Sequence, residues 1–300
     1  MAAPRIEGPA VLIINPAAGR GLARRRTETA VRALQAAGLE FELEQTEAPE
    51  HATELARRYT AAGARLIIAA GGDGTVHEVA QGMWDSEAVL GVLPLGSGND
   101  FAQVHGIPRD LEEAVQVLVA GRTGQTDVGR FGRWTFFNTI GIGFDAEASL
   151  ESRRIRWLRG DLLYLLAVLR TLHRFRGLPM RIVAPGYERD ASTFFIMVGI
   201  GKQEGGGFRL TPDALTDDGL FDLCVVDEIP IPSIIRLIPR AMKGTHTNQP
   251  WVRMHRAAEV SITIDQPYVL HADGQLYYPG PGTLECTCLP RALKVRMGPV

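Results

Sequence analysis

Apolar and polar positions follow two rhythms along this chain. In the first third, short apolar runs at Val11–Asn15, Leu66–Ala70 and Leu90–Leu93 have the length and β-branched content of buried strands, and Phe41–Gln45 alternates like a strand. Between them, Leu22–Ala37 and His51–Ala62 have helical texture and stop at Gly38 and Gly63, and a further helix is expected from about Val76. Strands spaced by helices of this length predict βαβ units and a parallel sheet. After about residue 125 the rhythm changes. Thr135–Thr139, Thr193–Gly199, Leu220–Val226, Val260–Ile264 and Tyr268–His271 are short β-branched or aromatic runs separated by turn residues, which predicts a β-rich, sandwich-like domain. One long helical stretch, about Ser152–Phe175, interrupts it. The expected organisation is an α/β domain over residues 1–125 followed by a β-sandwich domain over 126–290.

Composition narrows the partners. The 300 residues are 45% hydrophobic and 22% charged, enough to build a packed core in each of two domains. A formal net charge of −2 gives no global field toward nucleic acid, and no reading motif is present, so no nucleic-acid partner is expected. Three cysteines, Cys224, Cys286 and Cys288, form no disulfide framework and suit a reducing compartment. The N-terminus lacks a signal pattern and no apolar run reaches the ~20 residues that span a bilayer, so a cytoplasmic location is expected. The segment 152–176 carries Arg153, Arg154, Arg156, Arg159, Arg170, Arg174 and Arg176 beside a stripe of Leu158, Leu162, Leu165, Leu166 and Leu169. Such a basic amphipathic helix either packs on the core with a solvated charged face or rests peripherally on an anionic membrane.

The chemistry-bearing loops fall where the expected strands end, the edge at which parallel sheets bind ligands. The clearest is Gly71-Gly72-Asp73-Gly74-Thr75, between a strand and a helix. Glycines let backbone N–H groups approach a polyphosphate closely, and a helix N-terminus adds partial positive charge. Thr75 caps that helix or bonds a phosphate oxygen. Asp73 would repel phosphate and is expected to hold Mg²⁺ instead, directly or through water. The bland alternative is a tight strand-to-helix turn. Asn15-Pro16 with Gly19 and Arg20, and Gly96-Ser97-Gly98-Asn99-Asp100, end neighbouring strands, while Thr46, beyond the second strand, is a base or ribose contact or a helix cap. The lysine of a Walker A loop is missing.

Together these segments resemble the diacylglycerol kinase catalytic family. The resemblance rests on Asn15–Gly19, Gly71–Val79, Pro94–Ala102, Gly141-Ile142-Gly143-Phe144-Asp145, Asp217–Asp222 and Asp273-Gly274, in the family's order and over nearly the whole chain. It implies a kinase using ATP and Mg²⁺ to phosphorylate a hydroxyl of a lipid such as diacylglycerol or a sphingoid base, and a last segment, 291–300 with Leu293–Met297, that returns to the first domain. It also implies ATP contacts from Asn15, Thr46, the segment Gly71, Gly72, Asp73, Gly74, Thr75, Val76, His77 and Glu78, and Ser97, Asn99 and Asp100. A Mg²⁺ site at Leu215, Asp218 and Leu220 follows from the same resemblance; read from the residues alone, Asp217-Asp218-Gly219 is equally an exposed turn. The family's Asp-Gly-Glu motif, the source of its acid/base group, reads Asp273-Gly274-Gln275 here. Glutamine has no titratable proton. Either Asp273 takes the acceptor's proton, or the chain binds nucleotide or lipid with impaired turnover. NAD kinases share the Gly-Gly-Asp-Gly-Thr loop and are the remaining alternative. The sequence leaves the lipid's identity and the oligomeric state open.

Overall fold

The computed structural model describes residues 8–16, 22–155 and 161–298; within the helices, the side chains at 22–25 and 161–165 lie outside that description. The chain divides into two compact units, residues 1–128 with 290–300, and 129–289.

In the first unit the apolar runs form four parallel strands, β1 (Ala10–Ile14), β2 (Glu42–Gln45), β3 (Leu66–Gly71) and β4 (Val89–Pro94), in the order β2-β1-β3-β4. β1, β3 and β4 are buried along their whole lengths, which is why they read as unbroken apolar runs. The helices α1 (Leu22–Ala36), α2 (His51–Ala61), α3 (Asp73–Gln81), α4 (Asp100–Val104) and α5 (Leu111–Ala120) fill the connections. Asp110 caps α5 by accepting the amides of Glu112 and Glu113. A late strand returns beside β4, pairing Lys294 with Val89 and Val295 with Leu90 in parallel. Arg296, fully buried next to it, donates to the Leu118 and Val119 carbonyls at the end of α5. A buried guanidinium without such acceptors would be costly.

The second unit is a layered β structure. Its strands are the end of β5 (Arg122–Phe131), then β6 (Trp134–Phe136), β7 (Thr139–Gly143), β8 (Leu178–Ala184), β9 (Tyr187–Gly199), β10 (Phe221–Asp227), β11 (Val252–Ala257), β12 (Glu259–Ile264), β13 (Leu270–Ala272), β14 (Gln275–Tyr277) and the first part of β15 (Gly282–Met297), whose end is the returning strand. The long β9 serves two neighbourhoods: its first half pairs with β8 and its second with β7 and β10. Side-chain alternation divides it between two cores. Ile196 and Val198 join Phe136, Ile140 and Leu223 between the strand layers, whereas Phe195 and Met197 face α6 (Phe144–Arg154), α7 (Asp161–Arg174) and α8 (Ile231–Lys243) with Val168, Ile234 and Leu237.

Several expected elements differ. The long helix at 152–175 is two: α6 ends where Ile155, buried and extended, packs against Ala167 of α7. Residues 156–160, with Arg156, Leu158 and Arg159, and the side chains of Leu162 and Leu165 lie outside the described residues. The run at 135–139 breaks into β6 and β7, since the amides of Phe137, Asn138 and Thr139 turn to a carboxylate rather than a strand. α8 escapes sequence reading because Pro232 and Pro239 mask its helical spacing, although Gly244 at φ 70° closes it.

Candidate active site

Strand register places the expected nucleotide loops on one edge of the first unit. Ile14 pairs with both Gln45 and Ala70, and Gly71 with Pro94, so Asn15, Thr46, Gly72 and Gly96 follow the carboxyl ends of adjacent strands. The Thr46 amide donates to the Ile14 carbonyl and that of Asn15 to Ala70, so both residues belong to the strand edge. The third and fourth loops touch through glycine: a Cβ on Gly96 would overlap the Gly72 Cα. The Leu95 amide donates to the Gly71 carbonyl at 2.8 Å, fixing the same approach.

The loop after β4 is rigidly built. Asn99, in the left-handed region at φ 54°, accepts the Gly96 amide through Oδ1 at 3.0 Å and donates through Nδ2 to the Gly96 carbonyl at 2.9 Å. Gln103 and Arg109 both donate to the Gly98 carbonyl. Ser97 is left exposed at the tip, while Asn99 and Asp100 are buried.

Asp73 also has a structural role. Its Oδ2 accepts the Asn99 amide at 2.7 Å and its Oδ1 the Phe101 amide at 3.2 Å, so both oxygens cap α4 and bind the two glycine loops together. The helix starts earlier than expected, at Asp73. The Thr75 and Val76 amides donate to the Gly72 carbonyl, and the segment Gly72–Gly74 before them forms the helix start, where first-turn amides lack intrahelical acceptors. The side chains of Thr75, Val76 and His77 are buried, and Gly71 has no Cβ because one would overlap Thr75 Oγ1. Glu78 faces the start of α2: burial raises its pKa, against the lowering by the Glu50 and Ala52 amides. These residues build the loop; the backbone at Gly72–Gly74 is what they offer a ligand.

In the second unit, Asp273 is likewise structural. It sits at φ 50° in the turn between β13 and β14, buried, with Oδ2 accepting the Phe137 amide at 2.8 Å and Oδ1 accepting Asn138 at 2.9 Å and Thr139 at 3.0 Å. Gln275 follows half-buried on β14, opposite Ala272. With its oxygens held by three amides, Asp273 is poorly placed to receive a proton from a substrate hydroxyl.

At the expected metal loop, Asp218 Oδ1 accepts the Leu220 amide at 3.1 Å, while Oδ2 is paired with Arg256. Leu215 is an exposed side chain, so only its carbonyl could serve an ion. One carboxylate and two carbonyls are hard oxygen donors of the kind Mg²⁺ takes. Asp222 stands beside them: its Oδ2 is buried without a hydrogen bond, and although Arg256 Nε lies within ion-pair range at 3.4 Å, the geometry is not that of a hydrogen bond. Burial raises the Asp222 pKa. The donor set therefore fits a cation in kind, and an ion there would compete with Arg256 for Asp218.

The structure adds a site that sequence reading missed. A narrow cavity of about 80 Å³ lies under α7 and α8, walled by apolar side chains including Phe144, Phe194, Phe195, Met197 and Leu237. Asp145 and Glu204 also line it. Between them, on β13, is His271, fully buried, with Nε2 2.7 Å from Asp145 Oδ2 and 2.9 Å from Glu204 Oε1. Thr139 Oγ1 donates to Glu204 Oε2 at 2.8 Å, and Asp145 Oδ1 is buried without a hydrogen-bond partner. Burial opposes a charge on His271, but the Glu204 and Asp145 carboxylates outweigh it and hold its pKa well above 6.5. The group thus carries two carboxylates against one imidazolium. Gly141 makes room for it, since a Cβ there would overlap both Asp145 Oδ2 and His271 Nε2. Asp145 stood within a recognised motif, but Glu204 and His271 carry no local signal: the β7–β13 register, pairing His271 with Gly141, brings them together.

Comparison with known proteins agrees with this architecture. Residues 9–131 match the family model of the diacylglycerol kinase catalytic domain, and residues 138–297 match that of the YegS C-terminal NAD kinase beta sandwich-like domain. The chain is 30% identical over 268 residues to the diacylglycerol kinase of Bacillus subtilis, covering 88% of each. It is also 30% identical over 269 residues to a diacylglycerol kinase of Staphylococcus aureus, covering 88% of this chain and 85% of the relative. A crystal structure of a diacylglycerol kinase from Bacillus anthracis superposes with a TM-score of 0.74 at 22% identity over 97% of both chains.

Proposed function

This chain belongs to the diacylglycerol kinase family and is a kinase, and on that premise we propose that it transfers the γ-phosphate of ATP, with Mg²⁺, to a hydroxyl of a lipid. The observation that carries the lipid half of this reading is the cavity under α7 and α8, apolar along its walls and acidic where Asp145 and Glu204 line it. Its walls suit an aliphatic chain, and a net negative polar group suits a head that donates hydrogen bonds, a neutral or cationic lipid alcohol rather than a lipid phosphate. A dinucleotide such as NAD has no counterpart for those walls.

Donor binding rests on the backbone. The backbone of Gly72–Gly74 at the start of α3, with the Gly96–Asn99 loop braced by Asp73, forms the polyphosphate cradle, and Asn15, Thr46 and Ser97 border it. Mg²⁺, when bound, neutralises charge on the phosphates, and Leu215, Asp218 and Leu220 would hold a structural ion. In the transfer, the acceptor oxygen bonds to the γ-phosphorus, and the bond from that phosphorus to the bridging oxygen breaks with its electron pair leaving on ADP. The hydroxyl proton passes to Asp145, whose Oδ1 has no other hydrogen-bond partner. Gln275 has no proton to exchange, and a loose transition state asks little of a base.

The test is transfer of labelled phosphate from ATP to a neutral lipid alcohol, with nucleotide affinity measured separately by calorimetry. Asp145→Asn should lower kcat/KM for the lipid by roughly 100-fold, the usual size of a general-base effect, and leave ATP affinity unchanged. An unchanged rate would remove Asp145 from the reaction. ATP binding without transfer to any lipid alcohol, restored in Gln275→Glu, would establish the second reading, motivated by Gln275: a nucleotide- and lipid-binding homologue with impaired turnover.

A further inference from the structure

α8 has apolar residues on two faces, and only one of them is covered. Ile234, Leu237 and Ala241 point inward and are buried. Ile231, Ile235 and Met242 are 39%, 53% and 53% exposed, three of the few exposed large hydrophobic side chains among the described residues. At 100° per residue these three fall within about 40° of one line along the helix. Arg236, Arg240 and Lys243, all exposed, span about 60° of the helix surface, centred about 130° round from that line. The helix contains no aspartate or glutamate. A helix that only packs on a core has polar residues opposite its buried face; here an apolar stripe is interposed between the buried face and the basic one.

The surroundings extend the same character. Leu169 of α7 is 51% exposed, and Arg174 and Arg176 are exposed at that helix's end. The end of α7 and the start of α8 share an open recess of about 350 Å³, lined by Leu172, Phe175, Arg176 and Ile231, with Glu228 as its acidic member. Phe194 and Ile234 line both this recess and the apolar cavity, so they form a wall common to the two.

We propose that the outer face of α8 docks on an anionic lipid bilayer, its Ile231–Ile235–Met242 stripe entering the acyl boundary and Arg236, Arg240 and Lys243 lying against the head groups. Apolar burial flanked by cations is the pattern of interfacial helices. A second copy of this chain fits the face poorly, because pairing α8 with α8 opposes like charges. Docked this way, the recess at the start of α8 faces the bilayer, and the shared wall stands between it and the cavity in which the acceptor is read above. The docking itself does not depend on that reading.

Flotation with vesicles, in the absence of ATP, tests it. The full chain should float with vesicles of phosphatidylcholine mixed with phosphatidylglycerol, much less with phosphatidylcholine alone, and less as salt rises. The variant Arg236→Gln/Arg240→Gln/Lys243→Gln should partition roughly 100-fold more weakly, at about 5-fold per cation. Ile235→Ser/Met242→Ser should lose binding even at low salt. Both variants should keep the parent melting temperature and the parent rate on a short-chain, water-soluble acceptor. Absence of flotation with the anionic vesicles, or variants that float like the parent, would overturn the proposal. So would a dimer, seen by light scattering, that Ile235→Ser/Met242→Ser dissociates. Loss of transfer to the soluble acceptor with flotation intact would count against the kinase reading instead.

Discussion

The assignment of Asp273 as a structural residue makes a quantitative demand. Asp273→Asn is nearly isosteric, and asparagine tolerates the left-handed backbone found at φ 50°. With its amide oxygen in the Oδ1 position, asparagine still accepts from Asn138 and Thr139, now as a neutral acceptor. Its NH₂ then faces the Phe137 amide, donor against donor, where the carboxylate now accepts at 2.8 Å. Losing one hydrogen bond to a charged acceptor costs about 1.5–3 kcal/mol, and weakening two others adds roughly 1 kcal/mol. The expected destabilisation is about 3 kcal/mol. At an m-value near 2 kcal/mol/M that lowers the urea midpoint of residues 129–289 by about 1.5 M. Urea titration gives the midpoint, and amide exchange at Phe137, Asn138 and Thr139 should quicken. Turnover per folded molecule should fall less than about tenfold, below the usual general-base contribution. A midpoint and exchange pattern matching the parent, together with abolished phosphoryl transfer, would refute the structural assignment and return Asp273 to the chemistry.

Two further predictions concern the loops and the buried histidines. Gly96→Ala should abolish nucleotide binding measured by calorimetry while shifting the melting temperature only modestly, because its Cβ would force the Gly72 and Gly96 backbones apart; parent-like affinity would show that the close approach is unnecessary. His105 is fully buried, and burial pushes its pKa down to about 4, below the 6.5 of an exposed histidine. The unfolded chain therefore binds the extra proton first, and the first unit should lose up to about 3 kcal/mol as pH falls from 6.5 to 4. His271 has the opposite sign: its pKa is raised by Glu204 and Asp145, so its contribution is full below pH 6.5 and is lost as pH rises through the raised value. Urea midpoints of the parent and of His105→Gln and His271→Gln across pH 5–9 check both signs; parallel pH profiles for parent and variant would refute the corresponding assignment.

The sequence alone determined what depends on neighbours along the chain. Buried parallel strands are apolar throughout, so β1, β3 and β4 could be read directly, and with them the edge at which Asn15, Gly72 and Gly96 lie. The glycine loops were legible because close backbone approach excludes a Cβ wherever it occurs. What the loops' acids do was not legible. Asp73 and Asp273 look like chemistry in sequence, yet each holds amides from another segment, Asn99 and Phe101 in one case and Phe137 to Thr139 in the other. Those partners are fixed by tertiary packing, as is the meeting of Asp145, Glu204 and His271, which no local pattern links. α8 shows the same limit from another side: its prolines hide the helix in the sequence, and only the packed structure reveals that Ile231, Ile235 and Met242 remain uncovered. Backbone geometry leaves its trace in nearby residue types, whereas a hydrogen-bond partner or an exposed face is set by whichever distant segment the fold brings alongside.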